Sequence, residues 1–323
     1  MSAPAPRTVG DALAARLARD ADRPLLTYRD LDTGERTELG AATFENWAAK
    51  CADRLLDDIE PGELVEVAAD GSWLGFVAVV GGGLLQAVVR VRAGAPSADT
   101  ATCRIVHERF GPGADDLVVG AGLGGRPTDP AASAFATEVL EGADVVDLPD
   151  AEPQAPWLDL GAATRTQEEA LGAGAALATV GAGSDRRLAL GMSIDDPRGC
   201  AVAAAALASG ASILATRGGP RDAADEQDAD EQAVQDERNV RDAQGERGAW
   251  EAWSGAVGEE RAHVALLTAD GLSTVAGLDS PPTLEAVLVP AVIPESELPA
   301  ATTAAERLGA DLRTAADGVP RLP

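Results

Sequence analysis

The pentapeptide Leu-Gly-Ala-Ala-Thr occurs twice, from Leu39 to Thr43 and from Leu160 to Thr164. Each copy leads into the same series of patterns: an amphipathic helix, a short apolar strand, a helix of small apolar residues and a β-branched strand. The first block ends near Arg92 and the second near Thr216. Within them the Thr43 helix corresponds to the Thr164 helix and the Glu63 strand to the Arg187 strand. The Trp73 helix then corresponds to the Cys200 helix and the Val88 strand to the Ala211 strand. A βαβα order used twice with short connections predicts parallel sheets with right-handed crossovers. The expected fold is α/β, with two Rossmann-like lobes at 1–155 and 156–323.

Taken in order, the chain opens with a helix over Val9 to Ala21. Leu25 to Asp30 and Glu35 to Leu39 alternate on either side of Asp32-Thr33-Gly34, which predicts a β-hairpin. Phe44, Trp47, Ala48, Cys51 and Leu55 form one helix face. Lys50, the only lysine, lies off it. Ser72 to Val89 holds 18 uncharged residues, long enough for a membrane span. Gly81-Gly82-Gly83 and Gln86 interrupt it, and Val88, Val89 and Val91 continue as a buried strand, so a core helix is expected instead. The middle predicts a strand or helix over Ala101 to Phe110, strands at Asp116 to Val119 and Ala143 to Leu148, and a helical turn at Phe135. A proline linker over Asp150 to Pro156 comes next. Thr164 and Gln167 have capping-box spacing. After the second block, helices are expected at Trp250 to His263, Leu272 to Ala276 and Glu295 to Leu308. Strands are expected at Val264 to Leu267, Leu284 to Val289 and Ala310 to Thr314.

Charge and composition narrow the function. The formal net charge of −27 repels phosphate backbones and anionic lipid, so neither nucleic acid nor a membrane is an expected partner. Ten acids fall between Gly219 and Gly248 with only Val234 and Val240 as branched apolars. Such a segment cannot bury enough surface to fold alone and is expected to be a disordered acidic insertion or a solvated helix. Three scattered cysteines without a CxxC suit free thiols in a reducing cytoplasm. Met1 to Thr8 has no secretion signal. Two histidines, His107 and His263, exclude a multi-histidine metal site and read as structural.

Few residues suggest chemistry. Gly120, Gly122 and Gly125 spell GxGxxG after a strand, but Pro127 and Pro130 oppose the helix that a dinucleotide site needs there. Gly181-Ala182-Gly183-Ser184 lacks a P-loop lysine and precedes a strand, so it reads as a turn. Ser193, Asp195 and Asp196 come after the Arg187 strand at its carboxyl end, where open α/β sheets place ligands. They are the ligand-pocket candidates, for a polar ligand or a cation. Equally, they suit a loop whose carboxylates cap the Cys200 helix.

Arg23-Pro24-Leu25-Leu26-Thr27-Tyr28, Pro61-Gly62-Glu63-Leu64-Val65 and Asp185-Arg186-Arg187-Leu188 resemble motifs of the adenylate-forming superfamily, which includes acyl-CoA synthetases. So do Gly210 to Leu214 and Leu284 to Val289. The whole chain resembles a small bacterial family of shortened acyl-CoA-synthetase-like proteins. The resemblance implies the N-terminal domain of an adenylate former. It also implies a Ser/Thr/Gly phosphate loop ending in Pro-Lys-Gly before the Thr164 helix; Asp150 to Leu160 has no lysine. It implies a Tyr-Gly-x-Thr-Glu element for ATP and magnesium near Ala315 to Gly318, where neither Tyr nor Thr-Glu stands. It implies a lid domain with a catalytic lysine, which a chain reaching only Pro323 is expected to lack. The expectation is a cytoplasmic pseudoenzyme with no catalytic residues, metal or cofactor, which binds an unknown small molecule or protein. The alternative is a divergent enzyme keeping a nucleotide or acyl pocket.

Overall fold

The computed structural model describes residues 4–97, 101–121, 123–143, 146–161, 163–179, 181–218, 248–267, 284–289, 298–307 and 310–314. The acidic stretch at 219–247, the helical turn expected at Leu272 to Ala276 and the element expected near Ala315 to Gly318 lie outside them.

In chain order the elements are α1 (Val9–Asp20), β1 (Pro24–Asp30), β2 (Arg36–Gly40), α2 (Ala41–Leu56), β3 (Leu64–Ala68), α3 (Trp73–Leu84) and β4 (Val88–Val91). Next come β5 (Cys103–His107), β6 (Leu117–Val119), α4 (Phe135–Glu141), β7 (Pro156–Asp159), β8 (Thr164–Thr166), α5 (Gln167–Thr179) and β9 (Arg187–Leu190). The last are α6 (Pro197–Ser209), β10 (Ser212–Arg217), α7 (248–259), β11 (Val264–Leu266), β12 (Ala286–Val289), α8 (Leu298–Arg307) and β13 (Asp311–Thr314). Among the described residues these strands form two sheets. One runs β13-β12-β11-β9-β10-β1-β2, the other β6-β5-β3-β4-β7-β8. Both are parallel except at β1–β2 and β7–β8. No helix of the described residues is long and apolar enough to cross a membrane.

The repeat is real, but the pentapeptides do not mark it. Leu39-Gly40 ends β2 and leads into α2, whereas Leu160-Gly161 lies in the turn of the β7–β8 hairpin, with Gly161 at φ 80°. The equivalent positions are set by a shared irregularity. Pro24 pairs with Gly40 and Leu26 with Leu39, with a register shift between them. Pro156 pairs with Thr166 and Leu158 with Arg165, with the same shift. A proline has no N–H to give the ladder, so it sits at the first residue of each hairpin, on the edge side of a bulge.

The two copies of the unit exchange these hairpins. β1 pairs in parallel with β10, Leu26 opposite Ile213, and so joins the sheet of the second half. β7 pairs in parallel with β4, Val89 opposite Leu158, and so joins the sheet of the first.

The alternation of side chains divides the core. Leu188, Leu190, Ile213 and Ala215 face inward to a large cluster shared with the first sheet's Val65, Val67, Val89 and Val91. Ala189, Leu214, Ala265 and Val287 face the other way, against Trp250, Trp253 and Val257 of α7 and Ala304 of α8. α3 is buried on all sides, as expected of a core helix. Its Gly81-Gly82-Gly83 run permits close approach: a Cβ at Gly82 would lie 2.6 Å from Val89 Cγ2.

Several local expectations need correction. The Thr43 helix starts earlier, at Ala41, and Gly40 holds its N-cap position without a side-chain hydrogen bond. Thr164 does not cap α5. Thr166 accepts from Glu169 N at 3.2 Å, and Glu169 Oε2 accepts from Thr166 N at 3.0 Å, which is the reciprocal box shifted by two residues. Gln167 is instead buried. Its side chain accepts from Val9 N at 2.8 Å and donates to Gly83 O at 2.8 Å, tying α1, α3 and α5 together. The linker ends one residue earlier than expected, because Pro156 starts β7 and Trp157 is in the core. No strand forms at 143 and 146–148.

Candidate functional site

The turns after β3 and β9 hold corresponding places in the two units, and they meet. After β3 the chain reverses through Asp70 (φ 55°) and Gly71 (φ 73°), two consecutive left-handed residues, and Ser72 caps α3. A left-handed conformation is unfavourable for aspartate and free for glycine. After β9, Asp196 caps α6 ahead of Pro197, accepting from Arg198 N at 2.7 Å, and pairs with the Arg198 guanidinium at 2.8 Å. Of the three residues expected at this carboxyl end, Asp196 therefore serves the helix. Ser193 Oγ accepts from Asp195 N at 3.2 Å and shapes the loop.

Asp195 differs. It points inward, 1% exposed, and its Oδ2 accepts from Gly71 N of the opposite turn at 2.6 Å. A Cβ at Gly75 would lie 2.9 Å from Asp195 Oδ1, so the first turn of α3 has room for the carboxyl because residue 75 has no side chain. Burial pushes the Asp195 pKa up to about 7. The backbone N–H of Gly71 opposes this, and the charge of Asp70 adds to it.

Around this contact, carboxyl ends from both sheets bring charges together. Arg217 at the end of β10 donates to Asp70 Oδ2 from Nε at 3.0 Å and Nη2 at 2.7 Å, and to Asp30 of β1 at 2.7 Å. Arg109, after β5, reaches Asp70 Oδ1 at 2.5 Å and lies 4.6 Å from the centre of the Phe110 ring. Its backbone N–H donates to Nδ1 of the buried His107 at 3.3 Å. Burial lowers the His107 pKa, with Asp70 opposing. Burial works against the Asp30 carboxylate as well, but the N–H groups of Thr33 and Asp32 and the Arg217 guanidinium hold its pKa below the ordinary value. The junction is thus a compensated network of two guanidiniums and two carboxylates, beside a third carboxyl poised near neutrality.

Asp30, Asp70, Arg109 and Arg217 were not singled out in the sequence. A signal existed: each stands at or just past the carboxyl end of a parallel strand, the same rule that selected Asp195. Among the described residues no group of three or more His, Cys, Asp and Glu could hold a metal ion. The Gly120–Gly125 motif opens no helix; a single 3₁₀ turn, Leu123–Gly125, comes after β6. His263 Nδ1 accepts from Arg187 N at 3.3 Å. A separate cavity of about 490 Å³ lies beside β6, lined by Glu108, Asp116, Thr128 and Asp129 among others. Glu108 there already accepts from Ala121 N, Thr128 N and Thr128 Oγ1.

No protein-family model matches the chain. A curated protein of Mycobacterium tuberculosis (strain ATCC 25618 / H37Rv), described as a "TIGR03089 family protein", is 42% identical over 64 residues. That match covers 20% of this chain and spans about a quarter (26%) of the relative's length. Solved structures agree over nearly the whole chain. The N-terminal domain of FACL13 from Mycobacterium tuberculosis matches with a TM-score of 0.66 and 15% identity, over 95% of this chain and 75% of that one. The long-chain-fatty-acid-CoA ligase FadD1 from Archaeoglobus fulgidus matches at 0.68 and 12%, over 99% and 63%. The anthranilate CoA ligase AuaEII, solved with anthranoyl-AMP, matches at 0.66 and 13%, over 96% and 60%. The chain has the mixed α/β fold of the N-terminal domain of these adenylate-forming enzymes, with two mostly parallel sheets.

Proposed function

We propose that this chain is an adenylate-former scaffold without adenylation activity, which acts as a ligand-binding or protein-interaction module. The observation that carries this reading is the closed junction at the strand carboxyl ends. Arg109 and Arg217 both bind Asp70 there, and Arg217 also binds Asp30, so the guanidiniums are neutralised from within the chain. Adenylation needs cations and donors preplaced for the phosphate charge. The only lysine, Lys50, lies on α2 and donates to Gly142 O at 2.6 Å. The segment where the resemblance implies a phosphate loop contains the core strand β7 and a two-stranded hairpin turn instead. ATP–pyrophosphate exchange with a panel of carboxylic acids tests this. The expected result is exchange at the background level; robust exchange refutes it.

A second reading keeps a nucleotide or acyl pocket and a different reaction. It is favoured by Asp195, a carboxyl buried at the carboxyl end of β9 and pushed up to about 7, a position and a perturbation that mark candidate functional sites. Thermal shift with ATP, AMP and an acyl-CoA tests for such a pocket. Stabilisation by any of the three supports the pocket, and none supports the interaction module.

A further inference from the structure

The contact between the two crossover turns rests on one titratable side chain. Asp195 is fully enclosed, and its carboxyl accepts from the backbone N–H of Gly71 rather than from a cation. Its seat is built by the opposite turn: Gly71 gives the donor, Gly75 gives the space, and Ala69 closes the side. The charged groups facing it are known. Asp70 on the opposite turn repels an ionised Asp195, and Arg109 beyond β5 attracts it. Arg217 from β10 is engaged by Asp70 and Asp30, and His107 from β5 is buried beside that pair. On its own loop and helix stand Asp196, paired with Arg198, and the buried thiol of Cys200.

We propose that Asp195 is a proton-controlled latch between the two halves of the molecule: with its carboxyl protonated the two crossover turns stay locked together, and with the proton lost to solvent the carboxylate leaves its seat and the turns part. The asymmetry arises from the surroundings. Asp70 is anchored by two arginines and cannot retreat, so the repulsion is relieved on the Asp195 side. An ionised carboxylate in an enclosed site without a paired cation is strongly disfavoured, while its protonated form is not. Because burial holds this carboxyl near 7, the latch operates around neutral pH. Opening would expose the junction of Asp30, Asp70, Arg109 and Arg217 to any ligand.

Hydrogen–deuterium exchange of the intact protein tests the latch. Peptides covering residues 69–76 and 191–200 are monitored at about pH 6 and about pH 8.5, with times scaled for the base-catalysed chemistry and β4 as internal reference. The expected result is a loss of protection of at least about tenfold in both segments at the higher pH, with β4 unchanged, and no such loss in Asp195→Asn. Equal protection at both pH values in the wild type overturns the proposal, as does a loss that persists in Asp195→Asn. Should that variant fail to fold, Asp70→Asn serves instead. Removing the facing charge lowers the closed-state Asp195 pKa and relieves the repulsion that drives opening, so the loss of protection at about pH 8.5 is expected to shrink; a loss that is unchanged or larger overturns the proposal.

Discussion

Two glycine-to-alanine changes on two helices should move stability in opposite directions, and the contrast isolates packing. Alanine is favoured over glycine by roughly 1 kcal/mol inside a helix. At Gly172 of α5 the position is exposed, and a Cβ meets nothing within 4 Å, so Gly172→Ala is expected to stabilise by roughly 0.5–1 kcal/mol. At Gly83 of α3 the same Cβ would lie 2.7 Å from Trp157 Nε1, 2.8 Å from Trp157 Cε2 and 2.8 Å from Val9 Cγ2. None of these can yield cheaply. Trp157 is fully buried and its indole N–H donates to Val79 O at 3.0 Å. Val9 is held by Gln167, which also binds Gly83 O. Overpacking of this kind costs about 1–3 kcal/mol, and a displaced indole would leave a buried donor unsatisfied for about 1–3 kcal/mol more. Set against the propensity gain, Gly83→Ala should lose roughly 1–5 kcal/mol. Urea unfolding monitored by far-UV circular dichroism reads both as shifts in midpoint at constant slope. A Gly83→Ala protein as stable as the wild type would refute the packing argument.

The ion pairs and thiols give further expected outcomes. Glu260 is met by Arg36 at 2.6 Å and by Arg29 and Arg187 at 3.1 Å; chiefly through the Arg36 hydrogen bond, against burial, its pKa falls to about 2. A depressed carboxylate contributes stability above its unfolded pKa near 4.5 and loses it as pH falls toward 2. Glu260→Gln should therefore cost roughly 2 kcal/mol at neutral pH and flatten the acid limb of a pH–stability curve, the exposure of Arg36 keeping the value below the full shift. Arg217→Met should cost roughly 3 kcal/mol in chemical denaturation, because Asp30 and Asp70 stay buried with less compensation; an unchanged midpoint would contradict the junction as described. Cys51, Cys103 and Cys200 are free and buried, and burial raises all three thiols, Cys103 to about 11. A thiol reagent at neutral pH should label none in the native protein and all three after unfolding.

The element order was legible because periodicity is local. The Phe44–Leu55 stripe, the buried α3 and the β1–β2 hairpin all formed where the pattern placed them. Exact boundaries and caps were less so: Thr166 rather than Thr164 caps α5, since the β7–β8 ladder claims Thr164 first. The exchange of hairpins could not be read at all. Pairing partners such as Leu26 and Ile213 carry no local mark of each other. The same limit applied to the junction. A rule about strand ends found Ser193, Asp195 and Asp196, but which of them turns inward depended on Gly71 and Gly75, far away in sequence.

The exchange has a consequence for how the chain reaches this structure. β1 leaves the ribosome early, yet its parallel partner β10 is synthesised far later; Asp30 and Arg217, which join at their ends, are 187 residues apart. Until then the hairpin has no sheet to join in its own half. β4 likewise waits for β7. Folding half by half as synthesis proceeds is therefore blocked, and each nascent half carries an open strand edge. The sheet of β3 to β8 can be complete once β8 has emerged, but the other, which joins β1 to β10 and ends at β13, closes late and across a long loop. A chain cut between residues 155 and 156 would yield two aggregation-prone fragments rather than two domains, and mixing them should restore the structure by mutual strand donation.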